Sequence, residues 1–95
     1  MKWPNKNEYP NTVLIVDAVW DVKFVRKINA ANHLGLCDPS TNTIYIRLKQ
    51  SKEETFLTFY HECMHAYEFE TGKEVGESMV RLFEDWLRML LVDNF

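Results

Sequence analysis

The stretch SKEETFLTFYHECMHAYEFETG, residues 51–72, is where the chain changes character. Ser51, followed three residues later by Glu54, forms a capping box, which is the pattern that begins a helix. Gly72 can adopt the left-handed conformation that ends one. These signals predict a long helix over about residues 52–70. Its large residues are expected to form a core-facing side, namely Phe56, Phe59, Tyr60, Cys63 and Tyr67.

This helix contains the pattern H-E-x-x-H in His61, Glu62 and His65. The spacing of four residues places both imidazoles on the same side of a helix, where they can share one ion. Glu62 lies about 100° around the helix, so it can flank the metal as a general base without binding it. The alternative is an ordinary solvated helix face that carries two histidines. The pattern favours a zinc site.

A catalytic zinc ion needs a third protein ligand. His33 is the remaining histidine, but a lone loop histidine is more often a solvated side chain. Glu77 and Glu84 are seven residues apart, so they share one side of a second helix and could both face the histidines. Distance from the turn between the helices favours Glu84. We interpret three other glutamates of this region as solvating charges, namely Glu68, Glu70 and Glu74.

The residues before residue 51 predict strands. TVLIVDAVWDVKFV, residues 12–25, alternates with a period of two and is expected to bend near Asp17 and Ala18. GLCDPSTNTIYIRL, residues 35–48, predicts a strand, a turn and a strand. A second helix is expected to start near Gly76. The predicted fold class is α+β: a small antiparallel or mixed sheet of about three strands, then the HExxH helix and an antiparallel second helix.

Length and composition limit the function. Ninety-five residues suit one domain, residues 1–95, with an irregular lead-in over residues 1–11. The net charge is −3 and the cations are scattered, so we expect no nucleic-acid partner. No stretch reads as a signal peptide or membrane span, and we expect no membrane partner and a cytoplasmic location. Cys37 and Cys63 are then expected to be thiols.

Three further features each allow two interpretations. The strand at residues 43–48 could border a substrate cleft and accept an extended peptide, or it could be an interior strand. Cys37 could bind the zinc as a latency thiolate, although a small buried residue explains it as well. Four apolar residues of the second helix are interpreted as core, or as a partner or dimer surface if exposed, namely Trp86, Leu87, Leu90 and Leu91.

Several segments in order resemble one family. They are GLCD (35–38), TIYI (43–46), SKEET (51–55), TFYHECMHA (58–66) and a tail that ends in Asp93-Asn94. Together they resemble the small phage-type and prophage-type metallopeptidases, which are related to ImmA/IrrE-like and more loosely to SprT-like zinc peptidases. The resemblance covers about residues 20–95.

The resemblance implies a role for individual residues. His61 and His65 match the zinc ligands, and Glu62 matches the base. Glu77 matches the position that opens the second helix, which favours Glu77 over Glu84 as the third ligand. The spacing from His65 to Glu84, in contrast, looks like the gluzincin pattern.

The sequence therefore predicts a zinc-dependent metallopeptidase that hydrolyses a peptide bond in a protein or peptide substrate. Glu62 is expected to activate the zinc-bound water. One alternative is a phage-derived, zinc-stabilised module that binds or inhibits a host protein without catalysis. Another is a structural protein without a metal. If the chain is phage-encoded, the expected compartment is the cytoplasm of the host cell.

Overall fold

A computed structural model of the chain describes residues 2–28 and 33–95. Four strands precede two helices, and the fold is α+β as predicted, with one strand more than expected. After a short 3₁₀ turn at Lys6–Glu8, the elements are β1 (Thr12–Ile15), β2 (Ala18–Val25), β3 (Gly35–Asp38), β4 (Thr43–Arg47), α1 (Lys52–Thr71) and α2 (Glu77–Asn94).

The additional strand comes from a hairpin within residues 12–25. β1 and β2 pair antiparallel, and Ile15 lies opposite Ala18 across a two-residue turn. Val16 occupies the turn with φ of 57°. Glycine or asparagine is the usual signal for a positive φ in a tight hairpin. Because a β-branched valine stands there instead, the sequence predicted only a bend.

The sheet order is β1-β2-β4-β3. β4 runs parallel to β2 and antiparallel to β3, so the sheet is mixed. This order makes β4 an interior strand, which confirms the second of the two interpretations of residues 43–48 and excludes the first. β3 is the edge strand on that side of the sheet.

The helix α1 packs across one face of the sheet. Trp20, Ile44 and Ile46 are fully buried beneath it. The side of α1 that is buried comprises Leu57, Thr58, Glu62 and Ala66. Tyr67, which was predicted to face the core, is exposed. The predicted core side is partly confirmed, since Phe59 and Cys63 pack against the core cluster, but the most deeply buried residues of α1 lie on the adjoining side of the helix.

Both ends of α1 lie where they were predicted, although the Glu54 carboxylate accepts a hydrogen bond from the Ser51 hydroxyl and not from its backbone amide as a full capping box requires. The Ser51 hydroxyl oxygen accepts a hydrogen bond from the Glu54 amide, and Gly72 is left-handed with φ of 69°. In α2, Val80 is the buried residue, whereas Trp86 and Leu90 are exposed. The prediction that these two residues belong to the core is wrong. Within residues 2–28 and 33–95, no helix combines the length and the apolar character needed to cross a membrane.

Candidate metal centre

The two histidines of the motif lie side by side on α1. Their Nε2 atoms are 3.2 Å apart, and the ring centroids are 4.9 Å apart. Both side chains are largely but not fully buried. One helical turn separates them, as their spacing of four residues requires.

The Nδ1 atoms point away from this meeting point, each toward a carboxylate. His61 Nδ1 lies 2.8 Å from Glu84 Oε2, and His65 Nδ1 lies 2.7 Å from Glu68 Oε1. An ionised carboxylate only accepts hydrogen bonds, so each Nδ1 carries a proton and donates it. In the neutral rings the Nε2 lone pairs then face each other. This is the tautomer of a metal-binding histidine whose other nitrogen is held by an acceptor.

Glu77 completes the cluster. Its carboxylate oxygens lie 2.9 Å from His61 Nε2 and 2.9 Å from His65 Nε2. Ligand atoms of these three side chains lie within 4.8 Å of one another. Ligands about 2.0–2.1 Å from a tetrahedral zinc ion are separated by roughly 3.3 Å. The observed separations are close to this value, so the donor set fits zinc.

Both glutamates considered as the third ligand reach the histidines, but on different sides. Glu77 is the first residue of α2 and faces the two Nε2 atoms. Glu84 lies two turns further along and faces His61 Nδ1. Its carboxylate is therefore placed to orient His61 rather than to bind the same ion. The geometry favours Glu77, as the family resemblance did.

Glu68 was interpreted as a solvating charge, and this interpretation is wrong. Besides its contact with His65, its Oε2 accepts hydrogen bonds from the Val75 and Gly76 amides, at 2.7 and 2.9 Å. The hydrogen bond from Gly76 is the main cause that lowers the pKa of Glu68. Glu68 thus links the orientation of His65 to the start of α2. The sequence signal was its place three residues after His65, on the same side of the helix.

Glu62 lies on the side of α1 that faces the sheet. It is 8% exposed, and it lines the same cleft as the metal-binding candidates. Burial raises its pKa; the two histidines oppose this shift. The glycine of β3 makes room for it, since a methyl group at Gly35 would stand 2.6 Å from Thr58 Cγ2 and 2.9 Å from Glu62 Cγ. The strand backbone therefore approaches closely beside the carboxylate.

A network of hydrogen bonds keeps β3 close to α1. The Thr58 hydroxyl donates to Gln50 Oε1 at 3.0 Å. Gln50 Nε2 donates in turn to the backbone carbonyls of Leu34 and Arg47. Gln50 thereby joins α1 to the beginning of β3 and the end of β4. This contact was not predicted, because nothing in the local sequence distinguishes Gln50 from other polar loop residues.

The cleft has a volume of about 670 Å³ and runs between β3 and the two helices. His33 is exposed on its lining and does not join the ligand cluster. Cys37 also lines the cleft. Burial, and then the nearby charge of Glu62, raise the pKa of Cys37 to about 12. This favours the neutral thiol and the interpretation of Cys37 as a small buried residue. Both cysteines are free.

Comparisons of the chain with protein-family models, curated proteins and solved structures found no match.

Proposed function

We propose that this chain is a zinc-dependent metallopeptidase. One observation carries the proposal: each histidine Nδ1 donates a hydrogen bond to a carboxylate, so the two Nε2 lone pairs and the Glu77 carboxylate converge. Three lone-pair donors at this separation repel one another unless a cation or additional protons lie between them. Glu68 and Glu84, which contact the two histidines, add negative charge that favours a dication.

Zinc suits this donor set best. Two imidazoles and a carboxylate, with room for a further ligand, form a common type of catalytic zinc site. His61, His65 and Glu77 would hold the ion. A bound zinc ion would supply Lewis acidity, which polarises a carbonyl and makes a water nucleophilic near neutral pH.

Glu62 has the properties required of a proton carrier. It follows His61 directly on α1, yet it is not one of the three clustered ligands. Its burial raises its pKa toward the working range of a group that accepts and then donates a proton. Glu62 would take a proton from the attacking water and deliver it to the leaving amine.

The cleft supports an extended peptide as the substrate. β3 lies at the sheet edge and contributes Gly35, Leu36 and Cys37 to the cleft lining. An extended segment can add to such an edge through main-chain hydrogen bonds, which would lay its backbone along the motif. We therefore assign to β3 the role that was one of the two interpretations of residues 43–48.

The same assignment of residues is what the resemblance to ImmA/IrrE-like and phage-type peptidases implies. As part of the proposal, the chain acts in the cytoplasm, where Cys37 and Cys63 would stay reduced. The alternative is a zinc-stabilised module that binds a host protein without hydrolysis. It shares the metal site and differs only in catalysis.

The test combines metal analysis with hydrolysis. We expect about one zinc ion per chain and a lower melting temperature after chelation, because the ion binds only the folded site. Zinc-loaded protein should cleave members of a diverse peptide library. Glu62→Gln should keep the zinc and lose on the order of 10²–10⁴-fold in rate.

Each component can fail separately. Absence of stoichiometric zinc, with no uptake on titration, would contradict the metal site. Zinc binding without hydrolysis of any library peptide would favour the binding module. Hydrolysis that persists in Glu62→Gln would show that Glu62 is not the base.

A further inference from the structure

The helix α2 carries apolar residues on two sides. The inner side faces α1, with Val80 buried and Leu87 and Leu91 partly buried. A second set of large apolar side chains points away from α1 and is exposed to solvent. We call this set the outer face; it comprises Met79, Leu82, Phe83, Trp86, Met89 and Leu90.

The outer face is large for a helix that faces water. Trp86 is 61% exposed, Met89 60% and Leu82 57%. With ordinary side-chain areas, the six residues expose roughly 600 Å² of mainly apolar surface, at the upper end of the largest patches on monomers. Two such surfaces packed together would remove roughly 1,200 Å², which is the lower end of specific protein interfaces.

The spacing of the outer face is that of a helix–helix contact. Met79, Leu82, Trp86 and Met89 follow one another at intervals of three, four and three residues. This is the alternation of core positions in packed helices, whose partner is another helix with the same repeat. The chain itself supplies such a helix, because α2 of a second copy carries the same stripe. We propose that the outer face of α2 pairs with the outer face of α2 in a second copy.

The charges fix the direction of the pairing. Asp93 follows Met89 by four residues, so it continues the stripe at the carboxyl end of α2, and no basic residue lies in that last turn. Parallel pairing would bring two Asp93 carboxylates together. Antiparallel pairing around Trp86 places each Asp93 near Met79 of the other copy, beside the amino end of a helix. That end carries the partial positive charge of the helix dipole, and the acidic Glu77 of the first turn faces the histidines on the other side of α2. Because antiparallel pairing also avoids the contact between two Asp93 carboxylates, the pairing is antiparallel with twofold symmetry.

The test is sedimentation equilibrium of the full chain from low to high micromolar concentration. We expect a monomer–dimer equilibrium with a dissociation constant on the order of micromolar, given the modest area. Trp86→Glu should weaken the dimer by at least about tenfold, because Trp86 lies at the centre of the stripe. Met89→Glu should act in the same direction.

Leu14→Glu is the matched control, because Leu14 is 69% exposed on β1, away from this helix. It should leave the dimer unchanged. Asp93→Asn tests the direction: antiparallel pairing predicts a weaker dimer, whereas a tighter dimer would mean parallel pairing. A monomer at every concentration, or equal weakening by Leu14→Glu, overturns the proposal. These measurements do not depend on metal binding or hydrolysis.

Discussion

The two helices have similar lengths but are held in different ways. α1 has 20 residues, lies between the sheet and α2, and buries four side chains. α2 has 18 residues and buries only Val80 among its described side chains. The histidines and Glu62 therefore stand on a helix that is fixed over its length. Glu77 stands on a helix that packs mainly against α1, through Val80 and the half-buried Leu87 and Leu91.

This difference in how the two helices are held shows why the carboxylates around the histidines have separate structural roles. A candidate ligand at the beginning of α2 is accurately placed only if that end of the helix is held against α1. Glu68 of α1 holds it by accepting hydrogen bonds from the Val75 and Gly76 amides, and Glu68 also orients His65. Glu84, two turns further along α2, makes a second contact with α1 through His61. The better-held helix thus carries two of the three candidate ligands, and contacts between the helices position the third candidate.

Removal of Glu77 is expected to have the largest effect. Glu77→Ala leaves two histidines and an incomplete shell, so zinc affinity should fall by well over about 100-fold. A competitive titration against a chromophoric chelator measures the loss. The α1 residues alone would then be insufficient for tight binding.

Glu84→Ala is the matched comparison on the same helix. It removes the acceptor for His61 Nδ1 but no ligand, so affinity should fall by at most about 10–100-fold. If Glu84→Ala lost the metal and Glu77→Ala kept it, the assignment of the two glutamates would be reversed. The chain would then be closer to the gluzincin pattern.

Substitution of Glu68 is expected to have the next largest effect on zinc affinity, because its carboxylate contacts both His65 and the start of α2. Glu68→Gln can keep the hydrogen bonds from the α2 start through its amide oxygen, but its amide group would donate to His65 Nδ1. That donation favours the tautomer with a proton on Nε2, which cannot bind zinc. We expect a loss of affinity of about 10–100-fold. Nitrogen chemical shifts of the His65 ring should report the changed tautomer.

Glu70→Gln is the control for Glu68→Gln, since it makes the same change nearby on α1. It should leave both the zinc affinity and the ring shifts unchanged. Unchanged affinity in Glu68→Gln would mean that Glu68 does not position the ligands.

Local patterns predicted the elements that depend on local interactions. Ser51 and Gly72 placed the ends of α1, and the four-residue spacing placed His61 beside His65. The turn between β3 and β4 followed from its residue types. The first hairpin was missed because Val16 gives no turn signal. The parallel pairing of β2 with β4 involves residues far apart in sequence, so no local pattern specified it.

The candidate metal site shows the same difference between what local patterns and what tertiary contacts determine. Helical spacing alone could not separate Glu77 from Glu84, because both lie on one side of α2. Their separation depends on how α2 is set against α1, and Glu68 contributes to that setting through tertiary hydrogen bonds. The outer face of α2 shows the converse. Its apolar pattern predicted a core, but a helix with apolar residues on two sides can cover only one of them with α1.

Gly35→Ala tests how closely the sheet approaches α1. The new methyl group would overlap with Thr58 and crowd Glu62, so α1 and β3 must separate or their side chains must shift. We expect a decrease in the free energy of unfolding of about 1–3 kcal/mol, the usual cost of overpacking. Urea unfolding measures it. Leu14→Ala, at a residue of β1 that is 69% exposed, should cost much less, and equal losses would contradict the importance of the close approach.

The smallest effect concerns the burial of Glu62 in the metal-free protein. Burial raises its pKa above the ordinary 4.5, so the folded state disfavours the ionised carboxyl group. This cost is absent at low pH, where the group is protonated in both states, and it is complete above the folded pKa. Metal-free Glu62→Gln should therefore be more stable than metal-free wild type at neutral pH, and the gap should close below about 4.5. Urea unfolding in chelator across this pH range measures the gap. A gap that stayed constant with pH would mean that the stability of α1 does not depend on the ionisation of Glu62.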